Sequence, residues 1–152
     1  MGMGIDFDQL AFIEKWRRHA VRGAIVALDA TRGDLLVTIR VGELGERLDM
    51  RGRDATGALR KARLTIGDRV TLAIEYPARD VSAGSGTGVA GGLVAPGATV
   101  EGEVKNVGDA VMVDCGVSGV LVRRETMAEA KEGDVVRFVV AGEGAAYYIP
   151  TR

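Results

Sequence analysis

The same order of turn motifs occurs twice along this chain, and that duplicated order restricts the fold more than any other feature of the sequence. The first copy reads Gly23-Ala24-Ile25-Val26, Asp34-Leu35-Leu36-Val37, Gly42-Glu43-Leu44-Gly45 and Ile66-Gly67-Asp68-Arg69-Val70. The second reads Gly102-Glu103-Val104-Lys105, Asp109-Ala110-Val111-Met112, Gly116-Val117-Ser118-Gly119 and Glu132-Gly133-Asp134-Val135-Val136. Both hold Gly-x-x-Gly followed by Gly-Asp-x-Val. Glycine and aspartate at fixed offsets between short apolar runs are the chemistry of tight turns between strands. From the opening glycine to the Gly-Asp glycine the copies span 44 and 31 residues, and most of the difference falls after Gly45.

The runs between these turns have the period of strands. Leu35, Val37, Ile39 and Val41 alternate with Leu36, Thr38 and Arg40, and Val70 to Tyr76 alternates more cleanly. Ala24 to Leu28 adds a further apolar run. Short strands are expected again at Thr99 to Val104, Ala110 to Asp114, Gly119 to Arg123, Val135 to Val140 and Ala146 to Ile149. Only Asp6 to Val21 has a helical period, with Phe7, Leu10, Ala11, Phe12, Trp16 and Ala20 mostly three or four apart. Asp6 or Asp8 can cap its start, and Arg17, Arg18 and His19 suit its C-terminal end. Its apolar face is expected to pack on a barrel, with docking onto another subunit as the other reading.

Between the copies, Val81 to Ala98 holds six glycines and Pro96 and no charge. Glycine at that density makes regular structure costly in entropy, so a flexible linker or long mobile loop is expected. The expected division is a helix at 1–22, a first barrel at 23–80, a linker at 81–98 and a second barrel at 99–152. The fold class is therefore mainly β: two small OB-like β-barrels in tandem with an N-terminal amphipathic α-helix.

The second copy resembles the S1-like or TRAM-like branch of the OB fold. The residues that carry the resemblance are Val100 to Val104, Ala110 to Val113, Gly116 to Val122 and Gly133-Asp134-Val135-Val136. The resemblance covers the last third of the chain and extends more loosely over Gly23 to Tyr76. It implies a five-stranded barrel and binding of RNA or single-stranded nucleic acid. The chain departs from that pattern where such barrels present stacking aromatics and a histidine, at positions that here hold Ala110, Val111 and Val122.

Charge points to where contact would occur. The whole chain has a net charge of −1, but Arg47 to Arg63 carries Arg47, Arg51, Arg53, Arg60, Lys61 and Arg63 against Asp49 and Asp54 alone. A flexible arginine arm of this kind can track phosphates. The other reading is a solvated loop, or a short helix over Asp54 to Ala62. Lys105, Arg123, Arg124 and Arg137 are the second set of expected contacts, although residues 81–152 hold six basic residues against nine acidic ones. The expected function is thus a non-enzymatic nucleic-acid-binding protein with RNA or single-stranded DNA as partner. The alternative is a protein-interaction or assembly module, with a protein partner or homo-oligomer.

Several classes find no residues to support them. One cysteine, Cys115, and one histidine, His19, cannot make a zinc site of the common kind, and no cofactor is expected. Gly84 to Gly88 lacks the Lys-Ser/Thr ending of a phosphate loop. Asp29, Asp34, Asp109 and Asp114 sit where turns favour aspartate, and no catalytic grouping stands out. No transmembrane segment or signal peptide is expected, and a single thiol fits a reducing compartment, so a cytoplasmic location is expected.

Overall fold

The computed structural model describes residues 14–150 except 32, 44, 107 and 109. The expected N-terminal helix falls mostly outside these residues; within them, 14–17 are helical. The first half continues as β1 (Val21–Thr31), β2 (Asp34–Glu43), β3 (Glu46–Asp54), the short helix α1 (Ala58–Lys61), β4 (Arg69–Tyr76) and β5 (Ala78–Ala83). Then come β6 (Gly88–Val89) and β7 (Leu93–Val94). The second half is β8 (Thr99–Asn106), β9 (Ala110–Asp114), β10 (Gly119–Arg123), β11 (Val135–Val140) and β12 (Gly144–Tyr148). The chain is mainly β, as its period-two runs dictate. No helix among the described residues is long and apolar enough to cross a membrane.

Strand pairing closes the first barrel with a strand from the far end of the chain. β1 pairs antiparallel with β2 and β4, and β2 with β3. The gap between β3 and β4 is filled by β12, parallel to β3 and antiparallel to β4. The ring β1-β2-β3-β12-β4 is a five-stranded OB-like barrel, with α1 between its third and fourth strands in sequence.

The second half repeats the arrangement. β8 pairs with β9 and β11, β9 with β10, and β11 with β5, which comes from the first half. β10 lies parallel to the end of β4, with Leu121 opposite Glu75 and Val122 opposite Tyr76. Only Pro77 separates β4 from β5, so the chain passes from one barrel to the other within a few residues. Each half thus lends its last strand to the other.

The repeated Gly-Asp motif shows why the copies share their turns. Gly67 N–H donates to the Ile25 carbonyl (2.8 Å), and Ile25 N–H donates to the Asp68 carbonyl (2.9 Å). In the second copy, Gly133 N–H donates to Val104 (2.9 Å) and Val104 N–H to Asp134 (2.8 Å). Each aspartate carboxylate also accepts a backbone N–H three residues upstream, from Thr65 and from Lys131, both at 2.9 Å. Both glycines have positive φ, +98° and +93°, which L side chains disfavour.

Residues expected as a flexible linker are built into the sheet. Ser82 and Ala83 pair with β11, β6 with β8, and β7 with β3. The Glu101 carboxylate accepts the N–H groups of Ser85 (2.6 Å) and Gly86 (3.2 Å), fastening the glycine-rich turn to β8. Glycine's entropic cost is offset by these pairings, which no local pattern announces.

Alternation sends Val37, Ile39, Leu48, Met50, Leu72 and Ile74 inward in the first half, and Val100, Val113, Val122 and Phe138 in the second, into one continuous core. Tyr76 is fully buried at the crossing, and its hydroxyl donates to the Arg51 carbonyl (2.8 Å). Gly144 lies against it: a Cβ there would stand 2.6 Å from Tyr76 Cε1 and 2.7 Å from Ile74 Cγ2. Only glycine lets β12 pass this close. Outside the barrels, Trp16 is 5% exposed and stacks on Tyr147, with centroids 5.0 Å apart. It packs with Ala73, Ala110, Leu121 and Ile149.

Candidate ligand cavity

The basic stretch is not an arm. Residues 46–54 form β3, with Leu48, Met50 and Gly52 inward and Arg47, Asp49, Arg51 and Arg53 outward. Asp49 takes a two-pronged contact from Arg40 (2.8 and 3.1 Å) on the neighbouring β2. Arg51 reaches across to Glu143 in the same manner (3.1 and 2.5 Å). Arg60, Lys61 and Arg63 stand apart, on and just after α1.

The second set is equally dispersed and mostly engaged. Lys105 pairs with Glu103 (3.2 Å), Arg123 with Glu75 (3.7 Å) and Arg137 with Glu101 (3.6 Å). Arg124 donates to the carbonyls of Gly108 and Ala110 and to the Asn106 side chain, tying down the β8–β9 turn. Two of the carboxylates that the sequence count set against these cations, Glu101 and Glu103, are in the fold their partners. Burial holds the half-buried Glu75 carboxyl above its ordinary range, with the Arg123 charge opposing the shift. The Ser85 N–H, ahead of the opposing desolvation, draws the Glu101 carboxyl below its ordinary range.

Where the sequence indicated a charge run, the structure shows a hollow. A cavity of about 190 Å³ lies between α1 and the β1–β2 hairpin. The hairpin lines it with Leu28, Ala30 and Leu35, whose register places Leu28 opposite Val37 and Ala30 opposite Leu35. Asp29 and Asp34 of the same hairpin alternate to the other face. From the helix side come the buried Leu59 and, just past the helix, Leu64. The polar lining residues are Arg60 and Arg63.

Local chemistry fixes this wall. Asp54 accepts the N–H groups of Leu59 (3.3 Å) and Arg60 (3.1 Å), and Thr56 accepts that of Ala58 (3.3 Å), so the first turn of α1 is satisfied. Arg63 has φ +53°, the left-handed conformation that commonly follows a helix end. That bend returns Leu64 to the core. Arg60 donates to the Gly33 carbonyl, spanning from helix to hairpin. Among the described residues neither Arg60 nor Arg63 forms an ion pair, whereas Arg40, Arg51, Arg79, Arg123 and Arg137 do.

Other chemistry is sparse. No group of metal-ligating side chains occurs among the described residues. Cys115 is buried, its thiol donating to the Ser118 carbonyl (3.0 Å), and burial pushes its pKa up. That is the behaviour of a structural thiol rather than a nucleophile.

No family model matches this chain, and no curated protein does. Among solved structures, it is similar to one described as the cytoplasmic molybdate-binding protein ModG with molybdate bound. The identity is 21%, covering 88% of this chain and 96% of that one, with a TM-score of 0.49.

The expected nucleic-acid interface, with RNA or single-stranded DNA as partner, is corrected here. The arginine stretch is a strand and a helical turn rather than a mobile arm. Six of the ten basic residues (Arg51, Arg60, Lys105, Arg123, Arg124 and Arg137) are held by carboxylates, a side-chain amide or carbonyls of the protein itself. The ten are distributed over β3, α1, β8, β10, β11 and two turns. The alternative, an assembly module with a protein partner or homo-oligomer, draws no support from this geometry either.

Proposed function

We propose that this protein is a non-enzymatic binder of a small, largely apolar molecule, held in the cavity between α1 and the β1–β2 hairpin. One observation carries the reading: four leucines and an alanine line a hollow of about 190 Å³ whose polar lining side chains are two arginines. Apolar walls with a few convergent polar groups are the usual make-up of small-molecule sites. A cavity of about 150 Å³ is already enough to take up benzene. Single-ring compounds therefore fit.

The test is titration with toluene and benzyl alcohol while the methyl resonances of Leu28, Leu35, Leu59 and Leu64 are followed. Saturable shifts confined to these leucines are expected, and Leu64→Trp, which fills the hollow from its half-buried side, abolishes them while keeping the folded spectrum. No shift at these methyls with any single-ring probe overturns the reading.

The proposal extends to organisation. Residues 23–80 and 99–152 are two related units, and the second is of S1-like or TRAM-like type, which Gly102, the Gly116–Gly119 turn and Gly133-Asp134 support. A cytoplasmic setting accords with a single, buried, unbridged cysteine.

A further inference from the structure

We infer that the cavity selects ligands carrying a carboxylate, with Arg60 and Arg63 as its specificity-determining residues. This rests on the cavity being a ligand site, and it narrows the class from apolar molecules to single-ring or short-chain organic acids.

Three observations lead there. The lining residues include two arginines and no acidic residue, and alternation in the hairpin sends Asp29 and Asp34 to the opposite face. Asp54, the acid closest in sequence to α1, already accepts the N–H groups of Leu59 and Arg60. Among the described residues neither cavity arginine is paired with a carboxylate of the chain. An arginine fork matches the geometry of a carboxylate.

The arginines also differ in how they are held. Arg60 spends one amino group on the Gly33 carbonyl, which orients its guanidinium at the hairpin rim. Arg63 is placed by a backbone bend rather than by a side-chain bond, so it is the more adjustable partner. The acid head group would sit between them with its apolar body among the leucines.

The experiment compares benzoate, benzyl alcohol and benzylamine at equal concentration, read by the same leucine methyls and by calorimetry. Benzoate is expected to bind at least about tenfold more tightly than benzyl alcohol, and benzylamine more weakly than both. Arg63→Ala should bring benzoate down to the level of benzyl alcohol, and Arg63→Lys should restore part of the difference. Raised ionic strength should weaken benzoate alone. If benzyl alcohol binds as tightly as benzoate, the acid specificity is overturned and the cavity remains a ligand site. If none of the three shifts the methyls, both readings fall together. If benzoate binds but shifts no cavity methyl, or Arg63→Ala leaves it unchanged, the two arginines are not its site.

Discussion

The two barrels follow one plan and differ in what closes them and what charge they show. In the first, β12 sits between β3 and β4 and pairs with both, so the ring is complete. In the second, β5 pairs with β11 alone, and β10, on the side away from β9, pairs only with Glu75 and Tyr76 at the end of β4, before β5 begins. The connection after the third strand is long enough in the first barrel to form α1, which brings Leu59 inward and leaves a basic hollow beside it. In the second barrel the shorter connection buries Met127, and the groove along β5 and β11 is lined by Glu129 and Asp134. A duplicated scaffold thus carries opposite charge at these two concave places.

The strongest way to break this comparison is to test whether the barrels are separable at all. Phe138 is fully buried in the second barrel, and Phe138→Ala should cost about 3–5 kcal/mol. Because the last strands are exchanged and the core is continuous, thermal unfolding followed at Trp16 and at first-barrel methyls should shift together. A first-barrel transition that stays at the wild-type temperature would show two independent units.

A smaller change probes the crossing itself. Tyr76→Phe removes the hydroxyl bond to the Arg51 carbonyl while keeping the ring, and the loss should be about 1–2 kcal/mol, measured by denaturant titration. A neutral result would mean that the crossing is held by packing alone.

The smallest effects concern acidity, and here the two carboxylates at the joints have opposite signs. Glu101, whose folded pKa is lowered chiefly by the Ser85 N–H, contributes stability that is present above its unfolded pKa and lost as pH falls through the folded one. Glu75, whose folded pKa is raised chiefly by burial, contributes stability that is present below its unfolded pKa and lost as pH rises through the folded one. Acidification should therefore release the Ser85 and Gly86 amides to hydrogen exchange while the Glu75 joint holds. Glu101→Gln should expose those amides at neutral pH, and Glu75→Gln should stabilise slightly there. Equal amide protection in Glu101→Gln and wild type would remove the carboxylate from the account of this turn.

How much was legible can be judged element by element. The strands at Val70 to Tyr76, Ala110 to Asp114, Gly119 to Arg123 and Val135 to Val140 coincide closely with β4, β9, β10 and β11, because clean alternation reports a sheet face directly. β3 was hidden by its arginines. The inward series Leu48, Met50 and Gly52 was a strand signal, but Gly52 and the outward cations made the stretch look like a loop. The cavity had no signal of its own, since Leu28, Leu35, Leu59 and Leu64 are ordinary core residues until the shape of the gap among them is known.

What the sequence by itself determined is the duplication and its turns: Asp68 and Asp134 each accept the N–H three residues upstream, a bond that depends only on local residues. What only the tertiary structure decided is which strand completes which barrel, which arginines are neutralised, and where a hollow is left. Strand exchange, ion pairing at long sequence separation and imperfect packing are all relations between residues distant along the chain, such as Arg51 with Glu143 or Gly52 with Gly144. No pattern of spacing within either half encodes them.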